Sequence, residues 1–242
     1  MAGGINNHGD VVGTYAGTDG FQHGFKMSRP EECEAEDGQT CTPVFTSIDV
    51  PGATQTTGIN FEFGPGLGSA AIGINNEGMI TGMYATTGLY SNAFFRSGGH
   101  YKPLDSPLAS HLPGDGTKCF AINDDGAAAC DYLIQSSSTA LQFTHGFLYD
   151  DGKMTPIFVP GSEAGGFGTQ VIGLNNSKKV VGTFTTPMRL LAGLVWYRGD
   201  YFTLNYPASL FTELHSINNR GEITGAYATD PFSIHGFVAI PK

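Results

Sequence analysis

One string, a small residue followed by Ile or Leu, Asn, Asn or Asp, any residue and usually Gly, occurs five times and confines this chain to a repeat architecture. It reads Gly4-Ile5-Asn6-Asn7-His8-Gly9, Gly73-Ile74-Asn75-Asn76-Glu77-Gly78 and Ala121-Ile122-Asn123-Asp124-Asp125-Gly126. Gly173-Leu174-Asn175-Asn176-Ser177-Lys178 and Ser216-Ile217-Asn218-Asn219-Arg220-Gly221 complete the set. The first Asn falls at 6, 75, 123, 175 and 218, in steps of 69, 48, 52 and 43. The long first step holds two insertions, a loop bearing Cys33 and Cys41 and the segment 61–70.

Three further strings follow each turn. The second is Val11-Val12-Gly13-Thr14-Tyr15 and its counterparts, which become Ala128-Ala129-Cys130-Asp131-Tyr132 in unit three. The third is His23-Gly24-Phe25, Asn92-Ala93-Phe94, His145-Gly146-Phe147, Ala192-Gly193-Leu194 and His235-Gly236-Phe237. The fourth, such as Ile48-Asp49-Val50-Pro51-Gly52, closes units one to four. Short runs of Val, Ile, Thr, Tyr and Phe bounded by Gly and Asn are strands. Asn-Asn-x-Gly between two of them is hairpin chemistry, because Asn tolerates and Gly freely adopts positive φ. Lys178 replaces that Gly in unit four, which predicts an altered or strained turn. Four strands per unit predict an all-β, five-bladed β-propeller over residues 1–242. Its blades run 1–52, 53–107, 108–161, 162–207 and 208–242. Blade five ends on its third strand, so it is expected to have three strands and an open outer edge. A longer precursor, trimmed before Met1, would account for the missing strand.

These strings together resemble the bacterial extracellular HAF repeat family, whose naming tripeptide is close to Asn92-Ala93-Phe94. The resemblance spans nearly the whole chain. It implies export and a repeated β fold, and carries no catalytic residues with it.

Composition narrows the partners. Twelve basic against 22 acidic residues leave a net charge of -10, and no basic run is present, which disfavours nucleic acid. No apolar run reaches the roughly 18 residues that span a bilayer. Cys33 and Cys41 flank an acidic loop and suit a disulfide better than a metal site, pointing to a secreted or periplasmic setting. No cofactor or metal signature is present. Cys119 and Cys130 form a second candidate pair. If 123–126 is the loop, Ile122 faces Ala127 and Cys119 faces Cys130. A three-residue loop with a bulge would shift the register and part the sulfurs.

In a repeat protein, residues shared by the units are structural and exceptions are the functional candidates. His23, His145 and His235 recur, and are read as strand histidines bonding a neighbouring backbone group. On the first strands, which should line the central channel, His215 stands where other units carry Gly3, Ile72, Phe120 and Ile172. Two positions earlier come Ala70, Lys118, Gln170 and Glu213. Strand faces alternate, so Glu213 and His215 share one, and a carboxylate beside an imidazole can move a proton or orient a ligand. Asp131 replaces Thr14, Met83, Thr183 and Ala226 and is the third catalytic candidate. Lys118, Gln170 and Arg189 are the candidate ligand contacts, Arg189 supplying a cation for an acidic ligand. The first functional reading is a secreted propeller binding a glycan or other small polar ligand at the channel mouth. The alternative is an enzyme, a lyase, cyclase or glycoside-acting catalyst, using the same acid/base residues. The third is a structural surface protein. A monomer is expected in dilute solution, with an edge-to-edge dimer as the alternative.

Overall fold

The computed structural model describes residues 1–28, 42–54, 60–61, 64–65, 68–135 and 142–241. The expected Cys33–Cys41 bond lies outside them. The chain is an all-β propeller of five blades, each an antiparallel sheet whose strands follow chain order from the axis outward. Blade one comprises Ala2–Ile5, Val11–Ala16, Gln22–Ser28 and Val44–Ile48. Blade two comprises Ser69–Ile74, Ile80–Ala85, Ser91–Ser97 and His100–Leu104. Blade three comprises Thr117–Ile122, Ala128–Gln135, Gln142–Asp150 and Lys153–Ile157. Blade four comprises Thr169–Leu174, Val180–Thr185, Leu191–Tyr197 and Asp200–Thr203. Blade five has three strands, Phe211–Ile217, Ile223–Asp230 and Ser233–Ala239. A two-stranded hairpin, Asn60–Phe61 with Gly64–Pro65, lies in the segment before blade two.

Every inner strand carries a bulge at the same repeat position. The register against the second strand slips at Gly3, Ile72, Phe120, Ile172 and His215. A bulge re-aims the local side chain. These residues line a single central channel of about 330 Å³ to which all five blades contribute. The residue after the bulge is small because the next blade's backbone passes close by. A Cβ on Gly173 would come within 3.0 Å of the Ser216 Cα.

At one end of the channel the Asn turns are joined into a directional relay. The first Asn of each turn donates from Nδ2 to the carbonyl of the first Asn in the next blade: Asn6 to Asn75 at 3.1 Å, Asn75 to Asn123 at 2.8 Å, Asn123 to Asn175 at 3.3 Å and Asn175 to Asn218 at 3.1 Å. The second residue of each turn forms a parallel series, its backbone N–H donating to the next side chain: Asn7 to Asn76, Asn76 to Asp124, Asp124 to Asn176 and Asn176 to Asn219. Within its own turn the first Asn also accepts a backbone N–H on Oδ1, as Asn123 does from Ala127 at 2.9 Å. One side chain therefore shapes its hairpin and fastens it to the neighbouring blade.

Between consecutive blades the cores are apolar. Val12 and Ile48 pack with Ile74, Ile80 and Phe94 between blades one and two. Phe95 and Leu104 meet Cys119, Ile122 and Tyr149 between blades two and three. Leu148 and Ile157 meet Val171, Leu194 and Trp196 between three and four, and Val181 meets Leu214 and Ile223 between four and five. Trp196 is thus a packing residue, 7% exposed.

Two local expectations are refined. The unit-four turn is strained rather than altered: Lys178 takes a left-handed φ of 60° where the equivalent glycines lie at 73–83°, and the turn keeps the same backbone bonds. Its ammonium pairs with Asp150, and that hydrogen bond raises the Lys178 pKa. The recurrent histidines bind carboxylates and rings rather than backbone groups. His23 lies between Asp49 and Asp19, both at 3.0 Å, and His145 donates from Nε2 to Glu163 Oε1 at 2.7 Å. His235 packs against the Tyr227 ring. Asp19 and Glu163 come from segments outside the repeated strings, so the template does not reveal them.

Candidate functional site

A cavity of about 680 Å³ opens at the channel end opposite the Asn relay, between blades four and five. The inner strand of blade four supplies Gln170 and Ile172, and that of blade five supplies Glu213 and His215. The second strand of blade four adds Thr183 and Thr185, and the hairpin beyond it adds Arg189. The crossover from blade three completes the wall with Gly165, Gly166 and Phe167. Gly165 is required there, since a Cβ would come within 2.3 Å of the Thr186 carbonyl oxygen.

The strand geometry explains who meets whom. Gln170 stands opposite Thr183 in the blade-four register. Glu213 and His215 project to the same side, as alternation requires, and His215 Nε2 lies 3.3 Å from Glu213 Oε2. The bulge at His215 turns this imidazole toward both the cavity and the channel. Arg189 holds a left-handed backbone, φ 62°, in a tight hairpin where its N–H donates to the Thr186 carbonyl at 2.8 Å. Its counterpart in blade one is Gly20, φ 83°.

Thr183 and Thr185 are 4% and 3% exposed, and their hydroxyl oxygens have no hydrogen-bond partner among the described residues. Buried hydroxyls are nearly always satisfied, so two side by side in a cavity wall call for an external partner. Sequence reasoning brought together Gln170, Arg189, Glu213 and His215 and missed the threonines and Phe167. Thr183 occupies the variable repeat position already noted for Asp131, a signal that was present. Phe167 lies in a crossover with no repeat counterpart and gave none.

Lys118 and Asp131 are elsewhere. They face each other across the first two strands of blade three, 7% and 1% exposed, and do not line this cavity. Their neighbours Cys119 and Cys130 are disulfide-bonded, with Cα atoms 4.0 Å apart.

Chemically the cavity offers a guanidinium fork, an imidazole–carboxylate pair, an amide and two hydroxyls, beside the apolar surfaces of Phe167, Ile172 and Leu191. Glu213 is the one carboxylate among its lining residues. Glycoside cleavage generally employs two carboxyl groups across the scissile bond, roughly 5–10 Å apart.

No family model and no curated protein matches the chain. Among solved structures it resembles a triple arginine-to-alanine mutant of AofleA from Arthrobotrys oligospora. The match has a TM-score of 0.52 and 14% identity, covering 98% of this chain and 68% of the other. At that identity the likeness concerns the fold. Among the described residues no helix is long and apolar enough to cross a membrane.

Proposed function

We propose that this propeller is a binding module that holds a small polar ligand of the glycan class in the cavity between blades four and five. The observation that carries it is the pair of buried, unpartnered hydroxyls of Thr183 and Thr185 in the cavity wall. A saccharide brings closely spaced hydroxyls to such groups and an apolar ring face to Phe167, which is 42% exposed. Arg189 favours an acidic sugar, because its planar fork matches a carboxylate. The Cys119–Cys130 bond agrees with an oxidising, secreted or periplasmic setting. The HAF-type repeat family is the proposed kinship, supported by the strings of every unit.

The test is titration of the purified chain with a panel of neutral and uronic-acid mono- and disaccharides, followed by NMR. Binding by a uronic acid that Thr183→Val and Arg189→Ala each weaken supports the proposal. A panel without a binder, or binding indifferent to both substitutions, rejects it. The His215–Glu213 contact supports a second reading, elimination from a uronate by an acid/base pair. It requires an unsaturated product, detected by ultraviolet absorbance, that is lost in His215→Ala.

A further inference from the structure

The five blades share one channel, yet among the described residues the apolar cores and hydrogen bonds that join each blade to the next have no counterpart between blade five and blade one. Four apolar cores join one to two, two to three, three to four and four to five, a fifth cluster lies within blade two, and the described residues form none between five and one. No hydrogen bond among them crosses from blade five to blade one. The relay shows the same break. Asn218 turns its Nδ2 back onto Glu222 of its own turn, and the Asn6 carbonyl accepts only the N–H of Gly9.

Equivalent positions show how much surface this leaves open. Ile74, Ile122, Leu174 and Ile217 are 7%, 7%, 8% and 6% exposed, whereas Ile5, the same residue of the repeat, is 67% exposed. On the other flank Val238 is 62% exposed, against 7% for Phe95 and 5% for Leu148 at its repeat position. Ile234 lies on the same strand as Val238, Ile240 directly follows that strand, and both are also exposed. Blade one presents an apolar groove of about 480 Å³ lined by Tyr15, Phe25 and Phe45. Phe25 and Phe45 correspond to Phe94 and Tyr101 of blade two, which pack against blade one.

We infer that the opening between blades five and one receives a sixth unit of this same repeat. Both flanks specify it. Its turn must carry a first Asn whose carbonyl accepts from Asn218 and whose Nδ2 donates to the Asn6 carbonyl. Its second turn residue must be Asn or Asp, accepting the Asn219 N–H and donating to the Asn7 side chain. Its two faces must be apolar, one meeting Val238 and Ile234, the other meeting Ile5, Phe25 and Phe45. A second copy of the chain carries the same flanks, but the opening has one flank on each side and calls for a single unit between them, and mass separates the two occupants in the test below.

Ile5→Cys and Val238→Cys, made singly, report on the two flanks through their rate of thiol labelling, with the unsubstituted chain as background. In the chain of residues 1–242 both should label fast at monomer mass. Extending the chain after Ala239 with a second copy of residues 197–242 supplies an outer strand and a further repeat. Labelling at both positions should then slow on the order of tenfold or more, as a surface position becomes protected. Replacing the copy's counterpart of Asn218 by Ala should restore part of the rate. Slow labelling of Ile5→Cys in the unextended monomer means that blades one and five close directly, and overturns the inference. Slow labelling at dimer mass assigns the opening to a second copy, and also overturns it. Should the extended chain not fold, the same copy is added as a separate polypeptide. Labelling that stays fast with either form rejects the sixth unit.

Discussion

Cys119 and Cys130 face each other because the bulge at Phe120 takes back the residue that the adjacent turn adds. The turn runs from Asn123 to Ala127, so Ile122 pairs with Ala128 rather than Ala127. That shift alone would part the sulfurs. The bulge between Cys119 and Ala121 restores the opposition. Spacing arguments that omit both features reach the right pair with a wrong partner for Ile122.

The bond closes a short loop in a fully buried part of blade three. Replacing both cysteines by Ala should therefore lower unfolding free energy by about 2–3 kcal/mol, the range for loops of this size. Urea denaturation, with midpoint and m-value both fitted, checks it.

Asn123 is 3% exposed and serves two masters, the Ala127 N–H in its own turn and the Asn175 carbonyl in the next blade. Asn123→Ala leaves buried groups unsatisfied and should cost about 2–4 kcal/mol. The Asn218 side chain is exposed and bonds only within its own turn among the described residues. Asn218→Ala should cost about 1 kcal/mol or less, since solvent replaces what is lost. Thermal unfolding of the two variants side by side measures the difference, and equal losses would contradict the relay.

Burial pulls the His23 pKa down, but the hydrogen bonds and charges of Asp49 and Asp19 outweigh it and hold the imidazole above its ordinary value. A raised folded-state pKa means that the contribution to stability is complete below the unfolded value, near 6.5, and fades as pH rises through the folded value. His23→Gln should thus destabilise at pH 5 more than at pH 9. Melting temperatures across that range, with an NMR titration of the His23 ring, give the sign directly.

Arg189 can be separated from the fold. Its left-handed backbone suits glycine, as Gly20 shows in blade one. Arg189→Gly should leave stability within about 1 kcal/mol, relief of strain offsetting the added chain entropy. Affinity for an acidic saccharide should fall by about tenfold, the loss of one charge-assisted contact. Calorimetry on the same sample reports both quantities.

The five turns make the blade number and the hairpins readable from sequence, and strand alternation brings Glu213 to His215. What stays hidden has physical causes. A recurrent Asn is fully explained by its turn, so its bond to the next blade has no separate signature. The bulges fall on residues as unlike as Gly3, Phe120 and His215, so no residue type announces them. Asp19 and Glu163 reach the histidines from non-repeating segments. Thr183 and Thr185 look like ordinary strand residues until their hydroxyls are found unpartnered in a cavity wall.

A circle has no first or last member, whereas a line of five has two. The described residues form no core between blades five and one, which makes them a line in their thermodynamics, because each repeat is stabilised chiefly by its immediate neighbours. Blades one and five have one neighbour each and the inner three have two, so fraying starts at the extremities and cooperativity decays toward them. Amide exchange should be slowest in disulfide-bonded blade three and quicken in both directions. The cavity beside Arg189 and His215 has one wall in the settled interior and one in a fraying terminal unit. A ligand that bridges the two walls would hold that terminal unit in place, and its binding would register first as protection of blade five.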